Sequence, residues 1–180
     1  NDGAPLDPDS YLAKYPDWRD VTQWPTTARQ TETLRRSVTQ QQDPLAKSGM
    51  VGVFCRAYHP IGQALDALLS DVYAPSRYEG RYDYKPAESV AGVVLYGDSH
   101  AYSHHATDPA CGKLLNAFDL VRIHRFGDLD EKASYKAMCA YALTLDAVKL
   151  RLDAERQAAT VATAEETAQE WKTRLTYTAR

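Results

Sequence analysis

The chain has 180 residues, 44% of them apolar, and no apolar run long enough to span a bilayer, so a soluble protein with one modest core is expected. Its formal net charge of -3 excludes a strongly basic, self-sufficient nucleic-acid binder, because phosphate neutralisation supplies most non-specific affinity. Three cysteines, Cys55, Cys111 and Cys139, contain no Cys-x-x-Cys pair, which excludes a disulfide framework and reads as the reduced thiols of a cytosolic protein.

The first residues, Asn1 to Pro5, have neither the basic nor the apolar region of a signal peptide, and they lack an initiator methionine, as a processed or excised chain would. Asp7 is placed to cap a short helix opened by Pro8, with Tyr11, Leu12 and Tyr15 as a weak apolar face. Trp18 and Trp24 flank a charged turn. From Thr26 to Pro44 the chain is rich in Gln, Thr, Arg and Ser, the composition of a linker or a loosely attached helix.

Met50 to Tyr58 reads as a short strand or as the approach to the next helix. After Pro60, the residues Ile61, Ala64, Leu65, Leu68 and Leu69 make a full apolar stripe at helical spacing. Asp71 to Gly80 is read as a turn region. Strands are expected over Arg81–Lys85, Gly92–Tyr96 and Ala101–His104, with Gly97-Asp98 as a tight turn between the last two. The unbroken Val93, Val94 and Leu95 run points to the more buried strand. Asn116 can cap a helix stopped by Gly127, and a second helix is expected from about Asp130 to Asp146. Lys149 to Ala159 can extend it. Thr163 and Glu166 form a capping box that should open a last helix, whose Ala164, Ala168, Trp171 and Leu175 face has no local partner.

The fold class predicted from these elements is α+β: a small antiparallel sheet covered by helices 60–70, 116–126 and 130–146. Residues 1–48 form a polar N-terminal arm, 49–150 the central domain, and 151–180 a linker and C-terminal helix.

Four of the five histidines fall between Gly92 and Gly127, in a polar loop set between an apolar strand and an apolar helix. Binding residues gather in such loops. His104, His105 and Cys111, with His100 or His124, are chemically suitable zinc ligands. The first ligand pair of a structural site is missing, however, since Arg81 to Ala91 offers no Cys or His, and adjacent histidines in extended chain face opposite ways, so no metal is expected. Ser103, a neighbouring histidine and Asp108 can be written as a triad, but such groups normally converge from distant parts of a chain. A small buried thiol is the ordinary reading of Cys111. No catalytic residue and no cofactor are assigned. Gly112-Lys113 is not a P-loop, since Thr107 and Leu114 stand where glycine and a hydroxyl residue belong. The segment from Ala110 to Asn116 precedes a helix, where free N–H groups favour an anion.

Tyr73, Tyr78, Tyr82, Tyr84, Tyr96 and Tyr102 surround this loop, interleaved with Arg77, Arg81, Lys85, Lys113, Arg122 and Arg125. Aromatic and basic residues together make a single-strand surface, where bases stack and phosphates meet cations. Tyr82 and Tyr96 can equally serve as half-buried sheet packing. Histidines would add positive charge as pH falls toward 6.

The run YSHHATDPACGKLLNAFDLVRIH over 102–124 resembles a segment of phage and prophage primase-helicases of the virulence-associated E (VapE) family. The likeness extends to WRD at 18–20, DPL at 43–45, GVFCRAY at 52–58 and DVY at 71–73. It implies a place between an archaeo-eukaryotic-type primase-polymerase domain and a helicase domain. Neither the metal-binding carboxylates of the first nor the Walker motifs of the second are in this chain, so no catalytic residue carries over. A fainter similarity, in order of elements only, is to the N-terminal zinc-ribbon domain of bacterial primases, here without its Cys and His pairs.

The expectation is therefore a non-catalytic nucleic-acid-handling domain, acting in the cytoplasm of a bacterial host beside primase and helicase domains and away from membranes. Tyr102, His104, His105, Lys113, Arg122 and Arg125 would hold single-stranded DNA or a primer-template. The alternative is a structural module that orients neighbouring domains or oligomerises the helicase without touching nucleic acid.

Overall fold

Five short strands, each too short to be stable alone, share one antiparallel sheet in chain order. The computed structural model describes residues 5, 7–17, 19–23, 32–33 and 41–178. Trp18, Trp24 and most of the 26–44 stretch lie outside the described residues. Helix α1 is Pro8–Leu12, followed by a 3-10 turn, Val21–Gln23. Then come α2 (Gly49–Ala57) and α3 (Gly62–Leu68). The strands are β1 (Tyr73–Pro75), β2 (Arg81–Tyr84), β3 (Val93–Tyr96), β4 (His100–Ser103) and β5 (Leu114–Asn116). Three helices close the chain: α4 (Ala117–Phe126), α5 (Glu131–Ala142) and α6 (Asp146–Thr178). The fold is α+β.

The sheet is a meander, β1-β2-β3-β4-β5, with β3 at its centre. Its tightest corner is the predicted one: Gly97 and Asp98 both take positive φ, 55° and 57°, as the primed two-residue turns that suit strand twist require. In β3 only Val93 is fully buried: Val94 faces the other side of the sheet, and Leu95, on the same face as Val93, is half-buried. Tyr82 and Val93 sit in register on the inner face, and the Tyr82 hydroxyl donates to Asp66 of α3 at 3.0 Å. Behind the sheet, Phe54 of α2 meets Tyr58 at 5.0 Å and Phe118 of α4 edge-on at 5.7 Å. These rings, with Leu65, Val121 and Met138, centre the core.

Four local expectations are corrected. Met50 to Ala57 lies in helix rather than strand, with Tyr58 as its C-cap, since Met50, Val53, Phe54 and Ala57 recur at helical spacing and bury Val53 and Phe54. The turn region 71–80 contains β1, which pairs Tyr73 with Tyr84. The helix expected over 130–146 ends at Ala142, opened by Asp130, whose carboxylate accepts from the N–H groups of Lys132 and Ala133. Thr163 and Glu166 start no helix, because α6 runs through them. The Thr163 hydroxyl donates instead to the Ala159 carbonyl at 2.9 Å, one turn back. Helix α4 ends before Gly127 as expected, although that glycine keeps right-handed backbone, φ -70°.

Asp20 fastens the N-terminal segment. Its carboxylate is fully buried and accepts from the Thr22 hydroxyl at 2.6 Å, from Arg77 at 2.8 Å and from the Tyr78 hydroxyl, while its backbone bridges Val90. Burial works against the charge, but the hydrogen bonds from Thr22, Tyr78 and Arg77 outweigh it and hold the group well below the usual carboxylate range. A depressed folded value means the attachment is complete above the ordinary 3.8 and is lost as pH falls through the folded value. Asp20→Ala is expected to cost about 2 kcal/mol in local stability. Limited trypsin digestion would read this as cleavage after Arg19 quickened roughly tenfold or more. Equal cleavage rates would show that the segment is held by something else.

Candidate nucleic-acid interface and the buried network behind it

Beyond β4 the histidine loop folds back on its own sheet. His104 N–H donates to the Gly92 carbonyl at 2.9 Å and Gly112 N–H to the Ser103 carbonyl at 3.0 Å. At its centre Asp108 turns inward, and Oδ1 accepts from Ala110 N–H at 2.8 Å. Asp108 Oδ2 accepts from the Tyr73 hydroxyl at 2.8 Å, and the Tyr73 hydroxyl oxygen in turn lies 2.7 Å from His124 Nε2. A phenol has one proton to give, so with it on Asp108 the Nε2 must carry hydrogen and donate to Tyr73. Nε2 also stands 3.4 Å from Asp108 Oδ1. Burial pushes the Asp108 carboxyl up, but hydrogen bonds from His124, Ser103, Ala110 N–H and Tyr73 prevail and hold it below its ordinary value. Tyr73 is driven far above a normal phenol, by burial first and then by the Asp108 charge.

His105 belongs to the same interior. It is 5% exposed, its Nδ1 meets the Ser89 hydroxyl at 2.9 Å, and its ring leans on Tyr84 at 5.7 Å. Gly92 makes the space: a Cβ there would fall 2.1 Å from His105 Nε2. Tyr73, Asp108 and His124 are shut away from solvent, so the network acts as a clamp that shapes the loop. The triad grouping is thereby revised. The histidine that reaches Asp108 is His124, from α4, and not a loop neighbour.

On the other face of the sheet, β-register aligns Arg81, Val94, Tyr102 and Leu114 in one cross-strand row. Each of these is half-buried. The Tyr102 ring meets His104 at 4.7 Å in an edge-to-face pair. His104 and His105 therefore face opposite ways, as extended chain dictates. Lys113, one residue before Leu114, is exposed with its ammonium 3.2 Å from the Pro109 carbonyl.

The six residues grouped from sequence thus separate. Tyr102 and His104 share one end of the outer face with Arg81, which the grouping omitted, while Lys113 stands exposed just before β5. His105 is turned into the core. Arg122 lies on α4 against Asp119 at 3.2 Å. Arg125 spends its donors on Asp71, at 2.9 and 2.7 Å, and on the Leu68 carbonyl. Its work is to tie the end of α3 to α4. The tyrosines divide the same way: Tyr73, Tyr82 and Tyr84 are buried, whereas Tyr102 is on the outer side. Burial lowers the pKa of His100, His104 and His105, so these rings gain charge only at lower pH than free histidine would.

Among the described residues no group of three or more His, Cys, Asp or Glu is placed to hold a metal ion. No described helix is long and apolar enough to cross a membrane. Comparison of the chain with protein-family models, curated proteins and solved structures finds no match.

Proposed function

We propose that this chain is a non-catalytic nucleic-acid-handling domain that lays a single strand or primer-template end across the outer face of its sheet. The observation that carries the reading is the Tyr102–His104 pair at 4.7 Å, aligned with Arg81 across the strands and followed by Lys113. Bases stack on Tyr102, while Arg81 and Lys113 meet phosphates. His104, its pKa lowered by burial, supports the ring as a neutral partner near pH 7. The clamp behind the sheet holds the loop that carries His104. The resemblance of 102–124 to VapE-type replication proteins supports a position between primase and helicase domains in a bacterial cytoplasm.

With a net charge of -3, affinity should be modest, with Kd on the order of 10–100 µM for a short labelled single strand at low salt. Fluorescence anisotropy tests it directly. Tyr102→Ala is expected to weaken binding about tenfold, the worth of one stacked base. A flat titration, or equal affinity in the variant, would sink the reading.

One observation favours the structural alternative. Helix α6 has 33 residues, roughly 50 Å of rod, and every described side chain from 156 to 172 is exposed. Its start is seated on the core through Val148, Leu152 and the Glu155–Arg56 pair at 2.7 Å. A rod of that reach suits a connector to a neighbouring domain, and a flat titration would leave this as the better account.

A further inference from the structure

Away from the sheet face, the segment leading into α2, the first turn of α2, the outer side of α4 and the first turns of α5 form a groove of about 610 Å³, lined by Lys47, Val51, Asp119, Arg122, Glu131, Lys132 and Tyr135. That volume suits a small organic ligand. In a chain of net negative charge the groove gathers three cations against two carboxylates. One of those carboxylates is already engaged. Asp119 Oδ1 takes Arg122 Nε at 3.2 Å, and its Oδ2 takes Asn116 Nδ2 at 2.9 Å. Asp119 therefore sets the guanidinium in place at the groove wall. Among the described residues neither Lys47 nor Lys132 has a carboxylate partner. Tyr135 completes the wall: its ring leans on the buried Phe118 at 5.6 Å, which fixes it, yet the residue stays 45% exposed.

We propose that this groove is a separate binding site for a nucleotide-class ligand, with phosphate on Lys47, Lys132 and Arg122 and the base against Tyr135. Arginine and lysine supply charge-assisted hydrogen bonds to phosphate oxygens. An aromatic ring in a partly dry wall supplies a stacking surface. Glu131 makes the groove a poor trap for a bare anion and offers an acceptor to sugar hydroxyls or a base amine. The site does not depend on the sheet-face reading, since it draws on other elements and shares none of Tyr102, His104, Arg81 or Lys113. The ligand can be a free mononucleotide or the 5′-phosphorylated end of a strand.

The test is calorimetric titration of the full 180-residue chain at low salt with AMP, inorganic phosphate, adenosine, and a dinucleotide with and without a 5′-phosphate. AMP is expected to saturate, about tenfold or more tighter than phosphate or adenosine, because both halves of the ligand are used. Lys47→Ala and Lys132→Ala should each weaken AMP about tenfold, and Tyr135→Ala should erase its advantage over phosphate. Unchanged melting temperatures would show the variants folded. Preference for the 5′-phosphorylated dinucleotide over AMP identifies a strand end, and the reverse a free nucleotide. Tyr102→Ala should leave AMP binding untouched. The proposal is overturned by no saturation up to about 10 mM AMP, by wild-type affinity in the Lys47→Ala, Lys132→Ala double variant, or by loss of AMP binding in Tyr102→Ala.

Discussion

Gly52→Ala is expected to destabilise the protein by roughly 3 kcal/mol, although helix propensity alone would make it stabilising by about 1 kcal/mol. Gly52 lies inside α2, where the segment leading into the helix passes directly over it. An alanine Cβ would fall 1.7 Å from the Lys47 carbonyl oxygen and 2.6 Å from its carbon. Both are backbone atoms, so relief requires the segment to lift. Lifting it breaks the Arg56 hydrogen bonds to the carbonyls of Leu45 and Lys47, at 2.6 and 2.9 Å. The same guanidinium grips Glu155 through two bonds, at 2.7 and 2.9 Å, so the seat of α6 loosens too. Urea denaturation of the two proteins measures the effect. Gly62→Ala is the comparison: its Cβ would meet the Tyr82 hydroxyl at 2.9 Å, a side-chain atom that can yield, and the loss should be smaller. A stabilised Gly52→Ala protein would mean that the segment is not packed on α2.

What could be read in advance follows from how local each cause is. Helix α4 announces itself because Asn116 caps Asp119 N–H within one turn, at 3.0 Å, and its apolar residues recur at 3.6. The Gly97-Asp98 corner is equally local. Strands β1 and β5 are not: each has three residues and exists only because a neighbour pairs with it. The network was hidden for the same reason, since Tyr73, Asp108 and His124 lie far apart in the chain and only the fold brings them together. For the basic residues, sequence shows charge but not where it is already used. Arg122 carried a hint, being three residues after Asp119 on a helix. Arg125 carried none, because Asp71 lies 54 positions away. The opposed faces of His104 and His105 followed from strand geometry, yet which of them turns inward depended on the space left by Gly92.

Asp108→Ala is expected to cost roughly 3–5 kcal/mol, a large part of the stability of an ordinary domain, and to lower the melting temperature by about 10 °C. The aspartate is the acceptor toward which Tyr73, His124, Ser103 and Ala110 N–H converge. Removing it strands those donors in the interior, where each unmet group carries its own desolvation cost. Tyr73→Phe removes one donor to Asp108 and the acceptor of His124 Nε2–H, which still has Asp108 Oδ1 3.4 Å away, so it should cost less, about 1–2 kcal/mol. The pH profile separates a charged clamp from plain packing. Folded Asp108 has a depressed pKa, so its contribution is whole above the ordinary 3.8 and fades as pH falls through the folded value. His100, His104 and His105 act in a higher window. Their folded values lie below 6.5, so the unfolded chain takes up protons first and stability begins to drop as pH falls below 6.5. Without Asp108 the lower loss should become shallower. The upper one should deepen, because the lost Asp108 charge favoured protonation of His105 in the folded wild type. Melting temperatures from pH 7 to 3 would show both changes, and parallel curves for wild type and variant would mean that Asp108 does not hold the loop by its charge.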